Sequence, residues 1–192
     1  MEEKIKTILK ESIAVKEKLC HDDFITSIAK LVELVIACLK GGGKIVLFGN
    51  GGSAADSQHI AAELVGRFTR ERKALAAVAL NCNTSILTCI ANDYTFEQIF
   101  ARQIEALGES RDLAIGISTS GNSPNVLAGI ECAKKIGMKT ACLTAEAGHK
   151  LATLVDVAVS VPSKDTARIQ EAHITIGHIV CELTEKALFG KK

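Results

Sequence analysis

The chain contains 192 residues, which is enough for a domain with a substantial hydrophobic core. Apolar residues make up 47% of the sequence and charged residues 23%, a composition that excludes a disordered or fibrous protein. The 23 basic and 22 acidic side chains nearly cancel, so the charge gives no indication of a nucleic-acid partner.

Two helices are predicted at the start of the chain, because apolar residues recur at helical spacing over residues 2–20 and again over 22–40. The pattern then changes to short, continuous apolar runs, which are typical of strands buried on both faces. The predicted strands cover residues 44–48, 74–80, 113–117, 140–143 and 155–161. Further helices are predicted over residues 53–67, 84–91, 96–107, 124–136 and 168–188.

Buried strands that alternate with helices predict an α/β fold with a five-stranded, mainly parallel sheet and helices on both faces. We expect a single domain over residues 1–192, with two extra leading helices in 1–40 and an α/β core with its C-terminal helix in 44–190. In such sheets ligands bind at the carboxyl ends of the strands, so the site is expected there.

The cysteine pattern and the chain start bear on the compartment. Seven cysteines are scattered without any C-x-x-C pair, which is typical of reduced thiols. The first residues, MEEK, do not resemble a signal peptide, and the longest apolar stretch, residues 31–39, is too short to cross a bilayer. We therefore expect a soluble cytoplasmic protein with no membrane partner.

The loop after the first predicted strand, GNGGS at residues 49–53, is rich in glycine and leads directly into a helix. Glycines allow the backbone to approach a ligand closely, and a helix N-terminus presents free N–H groups. Ser53 and Asp56 have the spacing of a capping box, with Asp in place of the usual Glu.

The same loop also fits the dinucleotide pattern G-x-G-x-x-A, from Gly49 to Ala54. A nicotinamide enzyme, however, requires an acidic residue at the end of the second strand to bind the ribose hydroxyls. The predicted second strand ends in Asn81, Cys82 and Asn83, without a carboxylate, so the sequence argues against a dinucleotide.

A second loop, STSGNSP at residues 118–124, follows the third predicted strand and opens a helix. Ser123 is predicted as the N-cap and Pro124 as the first helical residue. One hydroxyl is sufficient for a cap, whereas this loop has four. Hydroxyls concentrated at a helix N-terminus are typical of a site for a phosphate monoester.

Four segments of the chain carry a resemblance to a known family: GNGGSAADSQHIAAELVGR (49–67), ANDY (91–94), GISTSGNSPN (116–125) and ARIQEAHITIGH (167–178). Together they resemble the bacterial phosphoheptose isomerases, which have a flavodoxin-like sugar isomerase (SIS) domain. The resemblance extends over nearly the whole chain. It implies a homotetrameric aldose–ketose isomerase that converts sedoheptulose 7-phosphate to D-glycero-D-manno-heptose 7-phosphate, the first step toward ADP-heptose for lipopolysaccharide or surface polysaccharide.

The resemblance also implies which side chains form the site. It assigns catalysis to Glu63 and His178. It assigns a zinc ion, one per subunit, to His59, Glu63, Gln170 and His178, and it implies no nucleotide cofactor. It assigns the sugar phosphate to a set of twelve residues: Asn50, Gly51, Gly52, Ser53, Glu63, Asn92, Asp93, Ser118, Thr119, Ser120, Ser123 and Gln170.

The spacing of these residues has physical consequences. His59 and Glu63 are four residues apart, so a helix places both on one face, where they can share a metal ion. Gln170 and His178 are eight residues apart, about 12 Å along a helix. Either Gln170 precedes the first regular turn, or the ligands come from different subunits. A metal would organise the pocket and polarise the sugar oxygens, while Glu63 exchanges ligation for proton transfer.

A non-catalytic alternative remains open at this point. SIS domains also serve as modules that bind a replication initiator protein or sense sugar phosphates. Glu63 and His178 favour catalysis, because an aldose–ketose isomerisation requires a base for the carbon proton and an acid for the oxygen.

Several other polar residues have more than one interpretation. The pair Asn92 and Asp93 is compatible with pocket closure or with a simple turn or cap. Arg67 could assist substrate charge or could lie at a helix C-terminus. Asn83 stands where the similar isomerases often have Asp; it retains an N-cap but removes a charge. The remaining histidines, His21, His149 and His173, are predicted to be structural or solvated.

Overall fold

The computed structural model describes residues 1–145 and 150–190. Its helices are α1 (Glu2–Lys18), α2 (Asp22–Lys40), α3 (Gly52–Val65), α4 (Thr84–Asp93), α5 (Ala101–Leu107), α6 (Pro124–Ile136), α7 (Lys150–Leu154) and α8 (Thr166–Phe189), with a short 3₁₀ helix at Phe96–Gln98. Its strands are β1 (Ile45–Gly49), β2 (Ala77–Ala79), β3 (Leu113–Ile117), β4 (Lys139–Ala145) and β5 (Val157–Val161).

The five strands form one sheet in the order β2-β1-β3-β4-β5, and every pairing is parallel. The predicted α/β fold with two leading helices is therefore confirmed. The strand order changes direction between β1 and β3, which are neighbours with Gly49 opposite Ile117. In a parallel sheet ligands bind at this point. The glycine-rich loop follows the carboxyl end of β1, and the serine-rich loop follows the adjacent carboxyl end of β3.

Both faces of the sheet are buried, as the continuous apolar runs predict. Alternate residues of β1 enter different cores. Leu47 packs into a core that includes buried residues of α2, α3 and α8, whereas Phe48 packs into a second core with residues of α5 and α6. The first of these cores fixes α3 and α8 against the same face of the sheet.

Three elements differ from the sequence prediction by more than two residues at an end, by a division or by not being predicted. The predicted strand 74–80 is shorter, because Leu75 donates its N–H to the carbonyl of Leu64 at the end of α3 instead of joining the sheet. The predicted helix 96–107 is divided into the 3₁₀ helix and α5, with Phe100 as the N-cap of α5. The short helix α7 was not predicted. Within the described residues, no helix has the length and apolar character needed to span a bilayer.

Two of the three remaining histidines fit the prediction. His173 on α8 is fully buried, with Nε2 at 3.0 Å from the carbonyl oxygen of Thr144 on β4, so it is structural. His21 is exposed and occupies the N-cap position of α2. His149 lies outside the described residues.

The buried His173 predicts a pH dependence of stability. Burial lowers the pKa of its imidazole to about 4, only partly offset by the hydrogen bond to Thr144. The unfolded chain takes up a proton near pH 6.5 and the folded chain does not, so stability is lost as the pH falls from about 6.5 toward 4, by on the order of 3 kcal/mol. Urea unfolding at pH 7.5 and 4.5 should show this loss reduced in His173→Gln but retained in His21→Gln. An equal loss in the parent and His173→Gln would contradict the assignment.

Candidate functional site

A pair of asparagines joins the two loops at the carboxyl ends of β1 and β3. The side chain of Asn50 donates to Asn125 Oδ1 at 2.8 Å, and the side chain of Asn125 donates to Asn50 Oδ1 at 2.9 Å. Asn125 is almost fully buried in the first turn of α6. The sequence placed it within a characteristic segment but gave no signal of this pairing, which spans 75 positions of the chain. The two loops therefore form one continuous surface.

The first loop turns into α3 through glycine geometry. Gly51 is the N-cap and has a φ angle of +55°, in the left-handed region that favours glycine, and as a glycine it has no side chain that could cap the helix. The predicted capping box of Ser53 and Asp56 is therefore wrong, because the helix begins at Gly52 and Ser53 is buried inside its first turn. A Cβ atom on Gly52 would lie 2.5 Å from Gln170 Nε2, so Gln170 of α8 packs directly against this loop.

The second loop gathers its hydroxyls around Ser118. The Ser118 Oγ atom lies 3.0 Å from Ser123 Oγ and 3.3 Å from Ser120 Oγ, and it accepts the N–H of Gly121 at 3.1 Å. Ser123 and Pro124 occupy the predicted N-cap and first helical positions of α6. The Ser123 side chain, however, points to Ser118 and does not cap the helix.

A cavity of about 360 Å³ opens beside this loop. Its described lining residues are Thr119, Ser120, Asn122, Ala145, Ser163, Lys164, Thr166 and Ile169. Among them Lys164 is the only charged side chain, so the cavity is suited to an anion. Lys164 was not among the residues predicted from the sequence. The available signal was its position between β5 and α8, at the carboxyl edge of the sheet.

Three metal-ligating side chains meet between α3 and α8. His59 and Glu63 of α3 and His178 of α8 have ligand atoms that all lie within 4.8 Å of one another. The His59 Nε2 atom lies 3.0 Å from His178 Nε2 and 3.3 Å from Glu63 Oε1. The predicted encounter of Glu63 with His178 therefore occurs within one chain.

The donor set of this cluster fits a zinc ion. The His59 Nε2 atom has either one proton or one lone pair, so it cannot form good hydrogen bonds to both neighbours at once. A cation between the three atoms removes this conflict. Tetrahedral zinc with bonds of about 2.1 Å places neighbouring ligand atoms about 3.4 Å apart, close to the two short distances found here.

Gln170 is the fourth ligand that the resemblance implies, and its position excludes one of the two explanations for its distance from His178. Helix α8 is continuous from Thr166, so Gln170 lies inside the helix and does not precede its first regular turn. It is therefore about 12 Å along the helix axis from His178, too far to share one ion with it in the same chain. Gln170 instead contacts the first loop at Gly52.

Asp56 adds a half-buried carboxyl group about one helical turn before His59. Burial raises the pKa of Asp56 to about 6, although the nearby His59 acts in the opposite direction. Its Oδ2 atom is buried and has no hydrogen-bond partner among the described residues. Asp56 was predicted from the sequence only as part of a helix cap, and no local pattern indicated this environment.

The other predicted polar residues lie apart from the cluster. Asn92 and Asp93 end α4, where the Asn92 side chain donates to Asp93 Oδ1 at 2.8 Å; this hydrogen bond, with one from Cys89, lowers the pKa of Asp93. Arg67 is exposed beyond the end of α3, with Nε 4.0 Å from Glu71 Oε2. The cap role of Asn83 is confirmed, because its side chain accepts the N–H of Ile86.

The chain is similar to known proteins over nearly its whole length. The model of the SIS domain matches residues 9–145. The chain is 54% identical to a phosphoheptose isomerase of Thermodesulfovibrio yellowstonii, over 98% of this chain and 94% of that protein. It is 52% identical to the phosphoheptose isomerase of Clostridium acetobutylicum, over 98% and 96%.

A solved structure has the same fold over nearly all of its length. The phosphoheptose isomerase of Neisseria gonorrhoeae superimposes with a TM-score of 0.91 at 41% identity, covering 96% of this chain and 98% of that one. The relatives therefore match the leading helices, both loops and α8, and not only the central sheet. The chain belongs to the phosphoheptose isomerase family of SIS-domain proteins.

Proposed function

We propose that the chain is a cytoplasmic aldose–ketose isomerase that converts sedoheptulose 7-phosphate to D-glycero-D-manno-heptose 7-phosphate, the first step toward ADP-heptose for lipopolysaccharide or surface polysaccharide. The observation that carries the proposal is the meeting of Glu63 and His178, with ligand atoms within 4.8 Å, in a member of this family. A carboxylate and an imidazole are able to move protons near neutral pH.

In the proposed reaction Glu63 removes a proton from C1 of the ketose, which gives an enediol, and returns a proton to C2. His178 transfers the second proton between the oxygens on C1 and C2. The result is an aldehyde at C1 and a hydroxyl at C2. The two transfers are balanced without an oxidant or reductant, so no nucleotide cofactor is required.

The two joined loops are proposed to hold the substrate. The hydroxyls around Ser118 donate to the phosphate group, aided by the N-terminus of α6. The proposed phosphate residues are Ser118, Thr119, Ser120 and Ser123. The proposed sugar residues are Asn50, Gly51, Gly52, Ser53, Glu63, Asn92, Asp93 and Gln170.

A zinc ion, one per subunit, is proposed at His59, Glu63 and His178. When bound it would supply Lewis-acid polarisation of a sugar oxygen. We propose that the fourth ligand, Gln170, comes from a neighbouring subunit, because its own chain places it too far along α8 from His178.

This arrangement requires an oligomer, and we propose a homotetramer in which each subunit is a single domain over residues 1–192. The exposed face of α1 supports this proposal. Its large apolar side chains Ile5, Leu9 and Ile13 recur every four residues on one face of the helix and are at least half exposed. Monomers rarely leave such a stripe uncovered.

The direct test is incubation of the zinc-loaded protein with sedoheptulose 7-phosphate and detection of the aldose product. Turnover that stops with a chelator and returns with added zinc is the expected result. The competing function is a non-catalytic SIS module for a sugar phosphate or a replication initiator protein. Binding of the sugar phosphate without any turnover would favour that module.

A substitution of Lys164 tests whether the cavity beside the second loop binds the phosphate group of the substrate. A charge-assisted hydrogen bond contributes roughly 1.5 kcal/mol or more, so Lys164→Ala is expected to raise the KM for the sugar phosphate by about tenfold and to leave kcat within about twofold. Steady-state kinetics at low and high salt measure this effect, which should shrink as salt screens the charge. The matched control is Lys30→Ala, which changes an exposed lysine of α2. Equal KM values for the two variants would remove Lys164 from the site.

A further inference from the structure

A buried ion pair connects the segment after α3 to α8. The Arg72 Nε atom lies 3.1 Å from Glu185 Oε2, and the two side chains are only 1% and 2% exposed. Two charges removed from water carry a large desolvation cost, which is offset only when both groups are fully hydrogen-bonded. The partners of each group therefore indicate what the pair holds in place.

Glu185 binds three successive residues near the start of this segment, Phe68, Thr69 and Arg70. Its Oε1 atom accepts from Thr69 N, Thr69 Oγ1 and Arg70 N at 3.1, 2.7 and 2.9 Å, and its Oε2 atom accepts from Phe68 N at 3.2 Å. Burial alone would raise the pKa of Glu185, but the hydrogen bonds from Thr69, Phe68 and Arg72 lower it to about 2. The carboxylate is therefore ionised, and it fixes three successive residues against α8.

Arg72 closes the C-terminal end of α3. Its guanidinium donates to the carbonyl oxygens of Glu63 and Leu64 at 2.8 Å each and of Gly66 at 3.1 Å, and to that of Lys73 at 3.2 Å. The last carbonyls of a helix have no helical N–H to accept from, so this one side chain caps the turn that contains Glu63. Only the fork of an arginine offers enough donors for this arrangement.

The same segment also reaches His178. The ring of Phe68, whose N–H is bound to Glu185, has its centroid 5.7 Å from that of the His178 ring. Glu185 follows His178 by seven residues, two helical turns, on the same face of α8. The ion pair thus links both helices of the metal-ligating cluster on the side away from the substrate loops.

We infer that Arg72 and Glu185 are a positioning pair, which sets the spacing between Glu63 and His178 through the α3 cap and Phe68 without touching the substrate. The role in turnover rests on the proposed isomerase function, whereas the role in cluster geometry does not. Mutation of residues that hold metal ligands in place typically lowers metal affinity or activity by about 10–100-fold.

The test compares Arg72→Lys and Glu185→Gln with the parent in two measurements. Competition with a chromophoric chelator should show zinc affinity weakened by about tenfold or more. Kinetics of the zinc-saturated, folded variants should show kcat lowered by about 10–100-fold and KM within about twofold, because the phosphate loops are untouched. Thr69→Val removes one donor to Glu185 with little change of shape, and should show the same changes at a few-fold size even if the other two variants fold poorly.

The matched control is Asp112→Asn, which removes the charge of a buried carboxylate that pairs with the half-buried Lys44 where β1 and β3 begin. It should lower thermal stability without changing zinc affinity or kcat. The inference is overturned if Arg72→Lys, Glu185→Gln and Thr69→Val behave like Asp112→Asn. An inactive parent would instead reject the isomerase function, and the zinc measurement would still decide the positioning role.

Discussion

Glu63→Gln is expected to lower kcat for sedoheptulose 7-phosphate by at least about a hundredfold, the effect of losing a general base. The amide retains the size of the side chain but cannot take the proton from C1. Because the hydroxyl loop around Ser118 is separate from α3, KM should change much less than kcat. Steady-state kinetics with zinc-saturated protein distinguish these two effects.

The control for this variant is Glu71→Gln, an exposed carboxylate beyond the end of α3. It removes the same charge from the same region and should retain parental kcat and KM. If Glu63→Gln retained more than about a tenth of the parental kcat, Glu63 would not be the base, and the mechanism proposed above would need another residue.

His178→Gln is also expected to have a large effect: the variant should lose most of its bound zinc. The imidazole supplies one of three converging ligand atoms. Loss of a residue that only holds a metal ligand in place weakens metal binding by up to about a hundredfold, so loss of a ligand itself should weaken zinc binding by at least that much. Turnover should fall with it. Metal analysis after dialysis against a weak chelator, together with the isomerase assay, measures both.

The matched control is His21→Gln, which changes an exposed histidine outside the cluster. It should bind one zinc per subunit and retain activity. A His178→Gln protein that still held stoichiometric zinc would show that His59, Glu63 and His178 do not form the metal site, although His178 could then still act on the sugar oxygens.

The strands show how far a local pattern can predict the fold. The boundaries of β3, Leu113–Ile117, were predicted to the residue, because a central strand buried on both faces gives an uninterrupted apolar run. The edge strand β2 was predicted too long, since the same apolar pattern serves Leu75, which binds the end of α3 instead. Helix α7 has only five residues, fewer than two turns, so no helical period could be recognised.

Some site residues could likewise be predicted from local spacing, whereas others could not. His59 and Glu63 were predicted to share a helix face from their spacing alone, and the structure places them 3.3 Å apart. The approach of His178 came from family resemblance, since 119 positions separate it from His59. Arg72 and Glu185 were missed because each is an ordinary charged residue in its local sequence, and only the folded chain shows that they are buried together.

The unbroken course of α8 constrains how this protein can vary. Gln170, His173, His178 and Glu185 all project from one helix of 24 residues, and each contacts a different part of the chain. Adding or deleting a single residue between the first and last of them would swing the downstream side chains around the axis by about 100°. The number of residues between Gln170 and Glu185 is therefore constrained by four separate contacts at once.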